Sequence, residues 1–199
     1  VMETMTDYHR LTRKRNVARI NQQRTEVQLM QTTQKKVFQL LVDNTSGVLS
    51  RISGLFSRRG YNIESITAGV TADPRLTRIT IVTSGDDEIL EQIEKQVGKL
   101  VDVRDIRELK PEKSVYRELA LIKVKVTAAQ RQDVIAISNI FRANIIDVGP
   151  ENLIVELTGN QSKLDACINL LSNYEILELA RTGIAGLSRG TEDVVYIDL

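Results

Sequence analysis

One cysteine and one histidine in 199 residues leave little from which to build a metal centre or a nucleophilic triad. A Cys/His zinc site needs about four ligands. The histidine, His9, sits in a polar N-terminal stretch, from which a Ser-His-Asp or Cys-His triad would have to recruit it. Cys167 falls with Leu164, Ile168 and Leu171 at helical spacing and reads as core. A lone cysteine excludes an internal disulfide and fits a reducing compartment. Charge of one sign is also missing: the net charge is +1, so nothing global calls for nucleic acid. No run approaches the roughly 18 apolar residues of a membrane span. The first residues also lack the apolar core of a secretory signal. No spacing singles out carboxylate or lysine chemistry, so the expectation is no catalytic residue and no metal ligand.

What is present is an ordinary core composition, 42% hydrophobic and 27% charged, enough for one domain or two small ones. Residues 1–36 stand apart: Arg10, Arg13, Lys14, Arg15, Arg19, Arg24, Lys35 and Lys36 outnumber Glu3, Asp7 and Glu26. That bias fits a disordered extension, and it also suits a basic arm or a transit segment, though one without serine.

From residue 37 a pattern emerges. Val37 to Val42 reads as a strand, and Val48, Leu49, Ile52, Leu55 and Phe56 recur at helical spacing behind a cap at Asn44 or Ser46. Arg58 and Arg59 suit the last turn of that helix, and Gly60 its end. Strands are expected over Tyr61–Ile66 and, after the turn at Ala72-Asp73-Pro74, over Leu76–Thr83. A helix from Asp86 to Leu100 and a strand from Val101 to Leu109 complete a β-α-β-β-α-β order. The order then repeats: strand Leu119–Val126, helix Gln130–Phe141, strands Asn144–Val148 and Asn152–Leu157, helix Ser162–Leu171, and a strand near Ile176–Thr182. "GLFSRRGYNIESI" from Gly54 echoes "NIFRANIIDV" from Asn139. The expected fold is α+β, two ferredoxin-like βαββαβ units with both helices on one face of each sheet. The units span 37–110 and 118–190, with a linker over 111–117 and a tail over 191–199. Each unit is small and its sheet has free edges, which favours pairing with a second copy.

The stretch Asp43-Asn44-Thr45-Ser46-Gly47 interrupts the first strand and opens the first helix. It is no Walker phosphate loop, since no lysine follows Gly47. An RNA-reading sheet needs exposed aromatics, and aromatics are 4% of the chain, with only Phe38 and Tyr61 on the expected strands of the first repeat. The amides after Asn44 suit a carboxylate. Gly47 permits close approach, Ser50 offers a hydroxyl, and Asn62 can read an amino or carboxylate group. Plainer roles exist for each: Asn44 as helix cap, Gly47 as packing glycine, Asn62 as turn residue.

Several stretches, "LLVDNTSGVLSRISGLFSRRGYNIESITAG", "LTRITIVTSGDDEILEQIEKQVGKLVDV", "IFRANIIDVGPENLIVELTGNQSKLDA" and "LARTGIAGLSRG" among them, closely resemble the small regulatory subunits of acetolactate synthase over about Val37–Gly190. The resemblance implies that 37–110 is an ACT domain, an amino-acid-binding and dimerising module, and that 118–190 is a C-terminal domain of like topology. It implies no chemistry on this chain. It implies association with a catalytic subunit that uses thiamine diphosphate, FAD and Mg²⁺, activation of that subunit, and feedback inhibition by L-valine. Carried over by position, Asn44, Gly47, Val48, Leu49, Ser50, Asn62 and Ile63 line an effector site between two ACT domains. Gly69 and Gln92 fall where family changes weaken the inhibition. Arg58, Arg59, Arg181-Thr182-Gly183 and Ser188-Arg189-Gly190 are candidates for contact with the catalytic subunit. The implied location is the cytoplasm for a bacterial source, a plastid or mitochondrion for a eukaryotic one. A free-standing ACT sensor with another client is the alternative.

Overall fold

The computed structural model describes residues 34–191; His9, most of the basic stretch and residues 192–199 lie outside them. The described chain forms two sandwiches of the same design. The first takes β1 (Gln34–Asp43), α1 (Val48–Arg59), β2 (Ser65–Val70), β3 (Leu76–Gly85), α2 (Asp87–Val97) and β4 (Val103–Glu108). Its antiparallel sheet has the order β2-β3-β1-β4. The second takes β5 (Ser114–Lys125), α3 (Arg131–Ile140), β6 (Asn144–Val148), β7 (Asn152–Gly159), α4 (Gln161–Leu171) and β8 (Ile176–Arg181), with the order β6-β7-β5-β8. A last strand, β9 (Ala185–Ser188), pairs with the start of β5.

Each core lies between a sheet and its two helices. Phe38, Leu40 and Val42 alternate along β1 and meet Ile52 and Phe56 of α1 and Leu90, Ile93 and Val97 of α2. Ile122, Val124, Val155 and Leu157 meet Val134, Leu164 and Leu171 in the second unit, where Cys167 is buried as core.

The order of elements is as the periodicity predicts, with three corrections. Tyr61–Ile63 do not join the sheet, and β2 begins only at Ser65. The Tyr61 amide donates to Phe56 at 3.0 Å, and its ring stands edge-on to Phe56 with centroids 6.0 Å apart. Ile63 also packs on the core, so the apolar alternation there reflects a docked helix exit and not a ladder. Second, neither Asn44 nor Ser46 caps α1; Gly47 occupies that position with φ 84° and no side-chain cap. Third, residues 114–117, expected in the connection, extend β5 to twelve residues, because Ser114–Arg117 pair with β9. The connection itself holds a 3₁₀ turn, Pro111–Lys113.

The two units are strapped together by the "RTGIAGLSRG" stretch. Ile184 packs with Val37, Val82, Leu109 and Tyr116 on the helix-free face of the first sheet. The buried Gln39 amide donates to the Gly186 carbonyl at 2.7 Å, and Thr67 to the Thr182 carbonyl at 3.0 Å. At Gly183, φ is +82° and a Cβ would lie 2.9 Å from that of Ser65, so only glycine lets the strap cross there.

Candidate functional site

The polar loop after β1 is fixed from below and open above. Asp43 receives a bidentate grip from Arg104, with both contacts at 2.7 Å. Arg51 grips Asp102 at 2.6 and 2.8 Å, while the Asp43 amide donates to the Asp102 carbonyl at 2.9 Å. Asn44 is committed as well: its amide nitrogen donates to the Pro74 carbonyl at 2.8 Å and its oxygen accepts from Thr77 at 3.1 Å. These bonds tie the loop to the β2–β3 turn, where Asp73 holds Arg75.

Above this frame, no group among the described residues accepts from the backbone N–H groups of Thr45 through Ser50. The first turn of a helix always carries donors without intrahelical partners. Asp86 caps α2 and Asn160 caps α4 through side-chain oxygens. The loop before α3 closes on itself, Thr127 donating to and accepting from Gln130. At α1 a glycine stands at the cap, so the donors face outward with the positive end of the helix dipole behind them.

Of the residues the resemblance carries over, Leu49 and Ser50 are exposed on the first turn of α1 while Val48 is buried beneath it. Asn62 is exposed and its side chain bonds to no described residue; its carbonyl accepts from Thr83 at 2.6 Å. One chain does not bring these groups together. Gly47 and Asn62 flank opposite ends of the 12-residue α1, about 18 Å apart. Gly69 lies on β2 opposite Arg78, away from the loop's donors, and Gln92 is exposed on α2. Nothing in the structure explains a role for Gln92.

Sequence reasoning missed the ionic frame. Arg51 and Asp102 are 51 residues apart and Asp43 and Arg104 are 61 apart, so no local spacing announces either pair. It also missed that Arg181, an exposed candidate for contact, grips the buried Glu118 with two contacts at 2.8 Å and reaches Asp165 at 2.8 Å. Arg58 and Arg59 are exposed, the latter touching Gln96.

Hydrogen bonds from Arg51 hold the Asp102 carboxyl below the usual carboxylate range, and those from the Arg75 side chain and backbone do the same for Asp73. A carboxylate with a lowered folded pKa contributes stability that is complete above its unfolded value, about 4, and is lost as pH falls through the folded value. The melting temperature is therefore expected to fall on acidification from about pH 5 downward. The Asp73→Asn/Asp102→Asn double variant should show a shallower slope, read by calorimetry across that range.

Both units of the chain match known proteins. Residues 117–190 match the family model for the small subunit of acetolactate synthase, and residues 38–105 that for the AHAS small subunit-like ACT domain. A probable acetolactate synthase small subunit of Methanothermobacter thermautotrophicus is 48% identical over 156 residues, 78% of this chain and 93% of its own length. The isozyme 3 small subunit of Salmonella typhimurium is 48% identical over 157 residues, 78% of this chain and 96% of its own. The crystal structure of the small subunit from Thermotoga maritima superposes with a TM-score of 0.74 at 44% identity, covering 79% of this chain and 99% of that one.

Proposed function

The chain belongs to the acetolactate synthase small-subunit family, and on that premise we propose that it is the regulatory partner of the catalytic subunit, activating it and conferring inhibition by L-valine. The observation that carries the effector reading is the uncapped start of α1: N–H groups from Thr45 to Ser50 without acceptors, behind a glycine with left-handed geometry. They suit the valine carboxylate. Asn62, free at its side chain, suits the head group, but it lies at the far end of α1.

The distance is resolved if two copies pair about a twofold axis with their α1 helices antiparallel. Each Gly47 loop then meets the partner copy's counterpart of the Asn62 end. Leu49 on α1 and Ile66 and Val70 on the edge strand β2 are exposed apolar side chains at 48%, 39% and 59%, and β2 has a free backbone edge. The valine isopropyl group would enter this seam, contributing about 1.5–3 kcal/mol. A ligand that bridges copies favours one quaternary arrangement, and only such a difference in affinity shifts an equilibrium. The second unit offers no such site: its loop is closed by Thr127 and Gln130, and Asn144, which lies opposite Asn62 in the repeat, bonds Glu156.

No chemistry is assigned to this chain. Thiamine diphosphate, FAD and Mg²⁺, implied by the resemblance, are assigned to the catalytic subunit. Among the described residues there is no group of three or more His, Cys, Asp or Glu arranged to hold a metal.

Calorimetric titration of the full chain with L-valine, with D-valine as control, tests the site. Stereoselective binding is expected, weakened about tenfold or more by Asn62→Ala, equivalent to about 1.4 kcal/mol for a lost polar contact. Binding equal in Asn62→Ala would remove Asn62 from the site. Failure to copurify with or activate an acetolactate synthase catalytic subunit would turn the reading toward a free-standing ACT sensor.

A further inference from the structure

A second ligand surface lies in the seam between the two units, away from α1. Arg78 and Thr80 of β3 face the helix-free side of the first sheet, since Thr80 lies opposite Gln39 and Thr67, whose side chains both bond the strap. They line an open groove of about 650 Å³, walled by Gly69 and Thr71 on one side and by Val115, Arg117 and Leu187 on the other.

The charges in this groove are unbalanced. Arg78 is partly buried and forms no hydrogen bond or ion pair with any described residue. The carboxylate that attracts it, Asp105, is held by Arg107 at 2.7 Å. Desolvation, and then repulsion from Arg107, outweigh the attraction of Asp105 and pull the Arg78 pKa below the ordinary arginine value, although the group stays charged at neutral pH. Thr80 is 4% exposed, and its hydroxyl bonds nothing within the described chain. Arg117 donates to the Tyr116 carbonyl at 2.6 Å and has no ion pair among the described residues. No acidic side chain lines the groove, and its other walls are small or aliphatic.

A partly desolvated guanidinium with no direct ion pair among the described residues gains from any carboxylate it can grip in bidentate fashion. Aliphatic walls with a few convergent polar groups are the usual make-up of small-molecule sites of this size. An ammonium group would find two cations and no acceptor carboxylate, so an α-amino acid is disfavoured. We propose that this groove binds a short aliphatic carboxylate lacking an ammonium group, of the 2-oxo or 2-hydroxy acid class, with its carboxylate on Arg78 and its 2-oxygen on Thr80. The site shares no residue with the α1 loop or Asn62 and does not rest on the valine reading. Acetolactate, for which the family's enzyme is named, is itself a 2-hydroxy carboxylate, so such a site would let this chain sense the chemistry of its partner's reaction.

The test is calorimetric titration of the full chain with 3-methyl-2-oxobutanoate, which has the carbon skeleton of valine with an oxygen in place of the ammonium group. Saturable binding is expected, weakened at least tenfold by Arg78→Gln and severalfold by Thr80→Val, and unchanged in Asn62→Ala. Arg78→Gln removes the desolvation cost and the repulsion from Arg107 along with the smaller attraction to Asp105, so its melting temperature should equal or exceed the parent's, which separates lost binding from lost fold. The proposal is overturned by absence of saturable binding, by equal binding in Arg78→Gln, or by inorganic phosphate or L-valine displacing the oxo acid at comparable concentration. A parallel valine titration of the same proteins reads the α1 site separately, so either site can fail alone.

Discussion

Gly47→Asp is expected to raise the valine concentration for half-inhibition of the reconstituted synthase by about ten- to a hundredfold, a loss of about 1.4–2.8 kcal/mol in effector binding. Three effects combine. The φ of 84° at this position disfavours a side chain, at about 1–2 kcal/mol for a non-glycine residue. A Cβ would lie 2.9 Å from the Arg51 guanidinium, whose position is fixed by the two hydrogen bonds it donates to Asp102, so the new carboxylate competes with Asp102 for Arg51. Most important, a fixed negative charge would satisfy the N–H donors that await the effector's carboxylate and would repel that carboxylate. Gly47→Ala separates these effects, keeping the strain and the crowding without the charge, and should produce a smaller rise. Basal activity in the absence of valine is the control for both variants. Inhibition unchanged in Gly47→Asp would place the effector elsewhere.

The architecture was legible because both signals that define it are local. Of the apolar positions expected on α1, Val48, Ile52, Leu55 and Phe56 are buried in the structure, whereas Leu49 is 48% exposed. The internal repeat predicted a second βαββαβ unit, and the two sheets share one strand order. Illegible features depend on distant partners. Residues 61–63 alternate like a strand, but Tyr61 stacks on Phe56 and returns the chain to the helix end, a choice that tertiary packing makes. Strand β9 is four residues of small and apolar type and exists only because Ser114–Arg117 lies beside it. The candidate site was half legible. Gly47 and the donors behind it follow from a glycine at a strand-to-helix turn, whereas the Asp43–Arg104 and Asp102–Arg51 pairs that immobilise the loop join β1 and α1 to the end of the first unit. Even the separation of Asn62 from Gly47 is implicit in the sequence, since a helix lies between them.

The signature stretch near the C-terminus has a structural reading that yields the second large effect. Arg181 is the last residue of β8, and its guanidinium closes over Glu118, which is only 7% exposed at its side chain. One residue later Thr182 accepts from the Leu119 amide and, through its carbonyl, from Thr67 of the first sheet. Arg181→Ala therefore leaves a buried carboxylate without its partner at the point where the strap departs. Breaking a buried pair on one side is destabilising by about 3–5 kcal/mol, and because the Arg181 side chain is 28% exposed the lower end applies. For a unit of this size that corresponds to a fall in melting temperature of about 10 °C or more. Replacing both partners, Glu118→Leu with Arg181→Leu, removes the stranded charge and should recover most of the loss. The strap gives a second readout. With Arg181 gone, the Thr182 and Ile184 contacts on the first sheet lose their anchor, so amides across Gly183–Gly186 should exchange with solvent faster than those of β1. Full stability in Arg181→Ala, with unchanged exchange at those amides, would return this arginine to the surface role that the sequence alone suggests.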